Sequence, residues 1–323
     1  MAILTTLDDA DLAAVAAAYG LGSVRGEGVL AGSVNTNYRL ETRDGEHLFL
    51  RVYEEQGREG AERDVRLLAR LARDGVPTPA PRACVTGGDV FELRGKACAV
   101  MPWIDGTQRC QRTVTTDDMT RVGAALAGVH TIGETFSESD ALTTESRFDR
   151  AALARRLGRV AETSDEIAAA VRRIRDVLED LDRRTSSAPE LPLIHGDLFR
   201  DNVIFSEHRA FLLDFESASR GQAAFDVAVT VLAWCFGDEL DPILCRAFAS
   251  GYAAGRNLTS EEAAELFDAA RFACARFTTT RLTDYEQRPR GLGVYKDFRR
   301  WLRRLDAVES LGSERFAATL GFA

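Results

Sequence analysis

The spacing of apolar positions over the first hundred residues predicts an antiparallel sheet accompanied by helices. Apolar and polar residues alternate on both sides of Asp44-Gly45, a pair typical of a tight turn between two strands. Other stretches repeat their apolar positions with the period of a helix. The predicted elements are a helix that ends at Gly20, strands at 38–42 and 47–53, a helix at 60–73, and strands at 91–93 and 97–101.

From Trp103 onward, helical periodicity dominates. It is clearest at 163–184, where apolar residues share one face and Thr163 and Glu166 have the spacing of a capping box. Further helices are predicted at 116–130, 225–236, 241–254 and 260–283, with a short β segment at 193–214. The pattern therefore predicts an α+β fold, with a β-rich lobe at residues 1–102 and a larger helical lobe at 103–323.

Composition and charge narrow the class of protein. Apolar residues make up 45% and charged residues 28%, as in ordinary soluble globular proteins. The net charge of −9 does not favour a nucleic-acid partner. The acidic N-terminal segment is unlike a secretory signal, and the most apolar run, 225–236, is too short to span a bilayer. The cysteines form no C-x-x-C pair, so we expect reduced thiols in a soluble, cytoplasmic protein without a zinc site.

The segment 193–216 carries the candidate chemistry. Two short apolar strands joined by a polar turn would bring Asn202, before the first strand, close to Asp214, after the second. Amide and carboxylate oxygens are ligands that Mg²⁺ accepts together with substrate phosphates. Asp197, five residues before Asn202, is placed to accept the proton of an attacking hydroxyl, as in the catalytic loop of protein kinases. This combination predicts phosphoryl transfer from a magnesium nucleotide, because turn chemistry alone explains it less well.

Two neighbouring residues are interpreted as structural support for this loop. His195 lies among apolar residues, so we expect its imidazole to fix the loop backbone rather than to transfer protons. Asp226 stands near the start of an apolar helix, where it would either cap that helix or brace the loop.

Around these residues the sequence resembles the aminoglycoside phosphotransferase and choline kinase superfamily, which has a protein-kinase-like fold. The resemblance is carried by residues 195–202, His-Gly-Asp-Leu-Phe-Arg-Asp-Asn, and by Asp214-Phe215. The stretches 32–38, 225–236 and 276–297 resemble bacterial homoserine kinases within that superfamily. The resemblance implies that Asp197 is the catalytic base, that Asn202 and Asp214 bind Mg²⁺, and that ATP phosphorylates L-homoserine to O-phospho-L-homoserine in threonine biosynthesis.

The resemblance also implies a nucleotide site between the lobes, with a hinge from Met101 to Ile104 and with strand residues over the phosphates. The residues implied to bind ATP are Ser33, Asn35, Asn37, Arg51, Met101 and Trp103. Two features depart from the superfamily pattern. The chain lacks a G-x-G-x-x-G loop, and Arg51 stands where many relatives place a phosphate-binding lysine.

The role of Arg51 stays open at this stage, since it would either contact phosphate or be a solvated strand residue. Its acidic partner on the next helix would be Asp64 or Glu62. Arg51 is also the only feature that favours a different class of protein, an inactive nucleotide-binding scaffold.

The sequence does not fix the acceptor. Arg276, Arg281 and Asp284 share helical spacing and suit a zwitterionic amino acid, although surface ion pairs would give the same pattern. A cationic acceptor such as choline, ethanolamine, hydroxylysine or an aminoglycoside would want acidic and aromatic groups. Candidates for those groups are Trp103, Asp105 and Trp234. Nucleotide preference, oligomeric state and regulation also stay open.

Overall fold

A computed structural model of the chain describes residues 5–30, 34–137, 142, 145–184, 186, 188–287 and 295–322. Near the N-terminus, five strands form an antiparallel sheet in the order β1-β2-β3-β5-β4. The strands are β1 (Val24–Leu30), β2 (Thr36–Thr42), β3 (His47–Val52), β4 (Phe91–Leu93) and β5 (Lys96–Pro102). The β4–β5 turn falls on Arg94-Gly95, which take φ values of 51° and 77°, the left-handed conformations that tight hairpins require.

Alternate residues of a strand point to opposite faces of the sheet, so each face has its own apolar side chains to bury. A different helix covers each face. Helix α1 (Asp9–Tyr19) contributes Val15 and Tyr19 to one apolar cluster, together with Leu48 and Leu50 of β3. Helix α2 (Arg58–Arg73) packs in the larger cluster with Ala99 and Met101 of β5. One face of the central strand β3 is therefore fully buried, and its other face, which carries His47, Phe49 and Arg51, is partly buried.

Helices make up most of the remaining chain. Helix α6 is buried along its whole length, and α9 packs against both α6 and α10, while α3 packs against α7. The helices are α3 (Thr116–Gly133), α4 (Arg150–Leu157), α5 (Asp165–Asp182), α6 (Ala223–Trp234), α7 (Pro242–Ala253), α8 (Ser260–Ala264), α9 (Leu266–Arg281) and α10 (Arg299–Leu320). The predicted two-lobe α+β fold is confirmed.

Two short strand pairs lie within the helical part and position the candidate chemistry. Strand β6 (Leu191–Ile194) pairs with β9 (Ser219–Gly221). Strand β7 (Val203–Phe205) pairs with β8 (Ala210–Leu212) in the predicted hairpin, with Val203 opposite Leu212. Asn202 thus immediately precedes β7, and Asp214 follows β8 by two residues.

The structure differs from the predicted elements at several helix boundaries. The cap of α5 is Ser164, whose hydroxyl accepts the Ile167 amide at 3.2 Å, so the capping box of Thr163 and Glu166 was a wrong prediction. The helix predicted at 260–283 is divided at Glu265 into α8 and α9. Helices α4 and α10 were not predicted from periodicity.

Within the described ranges, no helix has both the length and the apolar character needed to cross a membrane. The cysteines are free thiols, and those other than Cys110 are buried.

Candidate active site

The β7–β8 hairpin brings the three residues of the predicted chemical centre together. The side-chain amide of Asn202 donates to the carbonyl oxygen of Asp197 at 2.8 Å. The Leu213 amide donates to the carbonyl oxygen of Asn202 at 2.9 Å, so Asp214 follows directly across the hairpin. Asp214 is also close enough to Asp197 to act on its ionisation.

Burial and charge set the basicity of Asp197. Desolvation raises the pKa of this carboxyl from its usual range to about 7, and the Asp214 carboxylate adds to the rise while Arg276 opposes it. A carboxylate that titrates near neutral pH is suited to accept a proton from a hydroxyl during a reaction.

Asp226 braces the backbone of the loop that carries Asp197. Its carboxylate accepts the amide of His195 at 2.6 Å and the amide of Gly196 at 2.7 Å. His130 lies 3.1 Å from the same carboxylate. Burial acts to raise the pKa of Asp226, but the hydrogen bond from His130 and the neighbouring groups hold it below its usual range. Asp226 is therefore a buried anion with three polar contacts, two loop amides and the imidazole of His130.

His195 connects the same loop to the end of the hairpin. Its Nε2 lies 3.0 Å from the carbonyl oxygen of Leu213, and its Nδ1 accepts the Asp197 amide at 3.3 Å. These two contacts assign the proton to Nε2, since a carbonyl accepts and an amide donates. Burial lowers the pKa of His195, which keeps the ring neutral. Both nitrogens are therefore used in positioning the backbone.

The carbonyl groups of the loop are held by side chains of α6 and α9. Arg276 donates to the carbonyl oxygen of Gly196 at 2.7 Å, and the indole of Trp234 donates to that of Leu198 at 3.0 Å. Gly196 has φ 78°, and a Cβ there would lie 2.6 Å from the carbonyl oxygen of Ser217. Only glycine satisfies both the conformation and the close approach at this position.

Trp234 is fully buried, so it is not available to line a cleft for a cationic acceptor. This corrects the sequence-based interpretation that grouped it with Trp103 and Asp105. Asp105 is exposed, and the ring of Trp103 lies under the guanidinium group of Arg39, with 4.7 Å between the Cζ atom and the ring centroid.

Arg51 lies in the site rather than in solvent, with 14% of its side chain exposed. Its Nη1 is 3.2 Å from Oε1 of Glu216 and 3.9 Å from Oδ1 of Asp214. Burial acts to lower the pKa of Arg51, but Asp214 and Glu216 raise it above its ordinary value, and Asp64 contributes. Glu62 instead pairs with Arg58 at 2.8 Å. The carboxylate of α2 that faces Arg51 is therefore that of Asp64.

Glu216 is a site residue that the sequence analysis missed. It accepts hydrogen bonds from Arg51 and from the side-chain amide of Asn35. Burial raises the pKa of Glu216 to about 7, and Asp214 adds to the rise. Its position two residues after Asp214, on the same turn, was the available indication.

The other residues predicted to bind nucleotide lie around Arg51 or at the end of β5. Asn35 is buried and accepts the Glu54 amide at 3.2 Å, while Asn37 lies directly opposite Arg51 in the sheet. Met101 is buried near the end of β5. Ser33 lies outside the described residues.

The residues present fit a divalent cation. Oδ1 of Asp214 is buried without a hydrogen-bond partner in the part of the chain that the structure describes. Asp214 has φ 62°, a left-handed conformation that is costly for a residue with a side chain. Three carboxylates, those of Asp64, Asp214 and Glu216, act on a single arginine. This excess of negative charge suits a metal ion with oxygen ligands. The Asn202 side chain suits it too, because its nitrogen donates to Asp197 and its oxygen is the remaining ligand atom.

The predicted acceptor residues have different surroundings. Arg276 contacts the catalytic loop, whereas Arg281 donates to the carbonyl oxygen of Asp297 at 2.8 Å. Asp284 pairs with Arg156 at 2.5 Å. Burial lowers the pKa of both Arg276 and Arg281 to about 10. Arg156 was not singled out from the sequence, because its relation to Asp284 appears only in the folded chain.

Comparisons with known sequences and structures identify related proteins. Residues 25–258 match the Phosphotransferase enzyme family. The chain is 32% identical to a homoserine kinase of Methylocella silvestris, covering 98% of each chain, and 34% identical to a homoserine kinase of Chelativorans sp., covering 94% of this chain and 95% of that one. Among solved structures, an amicoumacin kinase in complex with AMP-PNP, Ca²⁺ and its ligand superposes with a TM-score of 0.73 at 14% identity, covering 95% of this chain and 94% of that one.

Proposed function

The chain belongs to the phosphotransferase enzyme family, and from that premise we propose that it transfers the γ-phosphoryl group of ATP to the side-chain hydroxyl of L-homoserine. The products are ADP and O-phospho-L-homoserine, which places the reaction in threonine biosynthesis. The observation that carries the reaction class is the arrangement of Asp197 beside Asn202 and Asp214 on the β7–β8 hairpin. The choice of homoserine is supported by the names of relatives that are similar over nearly the whole chain.

In this proposal Asp197 accepts the proton of the acceptor hydroxyl as its oxygen attacks the γ-phosphorus. The new bond joins that oxygen to phosphorus, and the bond between phosphorus and the leaving oxygen of ADP breaks. A pKa of about 7 gives Asp197 enough basicity for this step while leaving much of it ionised at neutral pH. The bracing of Gly196 by Asp226 and Arg276 keeps the carboxylate in position.

Asn202 and Asp214 are the residues that would hold Mg²⁺. When bound, the ion neutralises negative charge on the nucleotide phosphates. Arg51 supplies a further positive charge on the β3 side, where it donates to Glu216, which also accepts from Asn35. This arrangement supports a phosphate-contacting role for Arg51 and argues against an inactive scaffold.

A coupled assay of ADP release tests the proposal. Wild-type protein with Mg-ATP would be offered homoserine, serine, threonine, choline, ethanolamine, hydroxylysine and kanamycin. We expect turnover with homoserine, and a loss of about 10²- to 10⁴-fold in kcat for Asp197→Asn, which keeps the shape of the side chain. Nucleotide binding by the variant, measured by calorimetry, should be retained.

The other outcomes separate the alternatives. Turnover with choline, ethanolamine or kanamycin in place of homoserine would support the proposed phosphotransferase reaction and contradict the proposed acceptor. ATP binding without turnover on any acceptor in the wild-type protein would support the scaffold.

A further inference from the structure

Three arginines surround one aromatic ring beside the catalytic loop. The Cζ atoms of Arg276, Arg147 and Arg156 lie 4.3 Å, 5.4 Å and 5.6 Å from the ring centroid of Phe148. Arg276 comes from α9, Arg156 comes from α4, and Arg147 and Phe148 precede α4. We call Arg147, Arg156 and Arg276 around Phe148 the arginine cluster.

The arginine cluster is next to the reacting groups. Arg276 donates to Gly196, the residue before Asp197, and acts on the pKa of Asp197. Arg147 donates to the carbonyl oxygen of Glu216 at 3.3 Å. The cluster therefore touches the loops on both sides of the candidate phosphoryl-transfer centre.

Its positive charge is only partly compensated. Arg156 has Asp284 as a partner, but neither Arg147 nor Arg276 forms an ion pair within the described ranges of the chain. Arg276 also keeps a buried Nε–H without an acceptor among those residues. Burial lowers the pKa of Arg276, the Asp197 and Asp226 carboxylates oppose that change, and the charges of Arg147 and Arg156 lower the pKa further, so the three guanidinium groups repel one another. An anion in their midst would relieve that repulsion.

We propose that the arginine cluster binds the carboxylate of the acceptor and thereby selects hydroxy acids over cationic alcohols. The proposal rests on the proposed function, since it names the group of homoserine that the site recognises. Arg147 is exposed and 30% of the Arg156 side chain is exposed, so both can meet a ligand, while the buried Arg276 fixes the base of the cluster. Guanidinium groups match carboxylates with paired hydrogen bonds.

The same cluster is unfavourable for choline, ethanolamine or an aminoglycoside. Each of these acceptors would bring a positive charge toward three guanidinium groups, which is a repulsive arrangement. Asp284, which could attract a cation, is already engaged by Arg156. The acceptor's carboxylate is thus expected to lie on the Phe148 side, with its hydroxyl at Asp197.

The test compares L-homoserine with its primary carboxamide, which has the same size and no carboxylate. Wild-type enzyme, Arg147→Gln and Arg156→Gln would be assayed, with Arg155→Gln as the matched control because Arg155 is an exposed neighbour on α4. We expect the wild type to prefer homoserine by about tenfold to a hundredfold in kcat/KM, the value of one charge-assisted hydrogen bond. Both cluster variants should raise KM for homoserine by a similar factor and leave the carboxamide unchanged, and Arg155→Gln should match the wild type.

Three outcomes would overturn the proposal. One is equal use of homoserine and its carboxamide by the wild type. Another is a loss in the variants that appears in kcat or in KM for ATP while KM for homoserine is unchanged, because the arginines would then serve the transferred phosphoryl group. The third is a variant whose kcat/KM falls by the same factor for homoserine and for the carboxamide.

Failure of the proposed function gives a different result. If homoserine is not turned over, calorimetry with 4-hydroxybutyrate and 4-amino-1-butanol still reports on the cluster without requiring catalysis. If 4-hydroxybutyrate binds and Arg156→Gln weakens that binding, the arginine cluster is a carboxylate site for an acceptor other than homoserine. Binding of the amino alcohol alone, or of neither compound, rejects it.

Discussion

The two sides of the candidate active site are held in different ways. On the catalytic-loop side, buried partners occupy the backbone groups, as Asp226 does for the amides of His195 and Gly196, and Trp234 does for the carbonyl of Leu198. On the β3 side, charged groups outnumber their partners. Buried polar atoms without a hydrogen-bond partner among the described residues include Nε of Arg51, Oδ2 of Asp64 and Oδ1 of Asp214.

This difference indicates that the catalytic-loop side mainly maintains the structure and that the β3 side mainly binds ligands. Saturated hydrogen bonds define one geometry and make the loop rigid before a substrate arrives. Unsatisfied charges have an energetic cost in the free protein that a bound ion or phosphate can remove. We therefore expect substitutions on the loop side to reduce stability, and those on the β3 side to reduce ligand affinity and turnover.

The largest effect is expected for Asp226→Ala. It removes a buried anion that satisfies two amides and contacts His130, so the free energy of unfolding should fall by about 3–5 kcal/mol. Urea denaturation monitored by circular dichroism measures the change. Asp238→Ala, at an exposed position, is the control and should stay within about 0.5 kcal/mol of the wild type. A loss below about 1 kcal/mol for Asp226→Ala would contradict the assigned bracing role.

Asp214→Asn should show the opposite pattern. We expect kcat/KM to fall by about a hundredfold and the Mg²⁺ concentration for half-maximal activity to rise, because a metal ligand loses its charge. The free energy of unfolding should change by less than about 1 kcal/mol, since Oδ1 of Asp214 accepts no hydrogen bond from the described residues and its contact with Arg51 is a long one of 3.9 Å. A magnesium titration combined with denaturation distinguishes this from general damage, and an unchanged Mg²⁺ requirement would count against the metal site.

The pH dependence should be smaller and should come from Asp197. Its raised pKa means that the proton is bound at acidic pH, so the base is lost as pH falls. Between pH 8 and pH 6, kcat/KM should drop about tenfold, with an apparent pKa near 7. Glu216 titrates in the same range, so the profile is repeated with Glu216→Gln. Disappearance of the pH dependence in that variant would assign it to Glu216 instead.

The smallest effect on turnover is expected for Trp234→Phe. The variant keeps an aromatic side chain, removes the donor to the Leu198 carbonyl and leaves part of the volume of the buried indole unfilled. Stability should fall by about 1–3 kcal/mol because a hydrogen bond and some packing are lost, and KM for ATP should not change. A large rise in KM for ATP without a loss of stability would break the distinction between the two sides.

Local sequence was sufficient to predict the catalytic hairpin, because its strands, turn and polar ends lie within 24 consecutive positions, 193–216. Relations between distant segments were not predictable in this way. Glu62 and Asp64 are both near the start of α2, but residues two apart lie about 200° around a helix, so the choice depends on how α2 packs. The structure turns Asp64 toward Arg51 and leaves Glu62 with Arg58.

The arginine cluster was missed for a related reason. Arg147 and Phe148 lie outside any periodic segment, and α4 is short and rich in arginine, so its apolar face is weak. Phe148 contacts Arg276 of α9 although the two residues are more than a hundred positions apart in the sequence, so the contact depends on how the helices pack. Arg276 itself was predicted to be near the acceptor, since its spacing with Asp284 was visible in the sequence.

The arginine on β3 has a consequence for chemical labelling. A nucleotide analogue that acylates amines would need a nucleophilic amine at the phosphate site, but the guanidinium group of Arg51 stays protonated and is not an effective nucleophile. Lysine occurs in this chain only at positions 96 and 296, and Lys96 is paired with Glu54 while Lys296 lies 3.6 Å from Asp201. Such reagents would therefore leave Arg51 unmodified, and a lysine label on this protein would report the surroundings of Lys296 or Lys96.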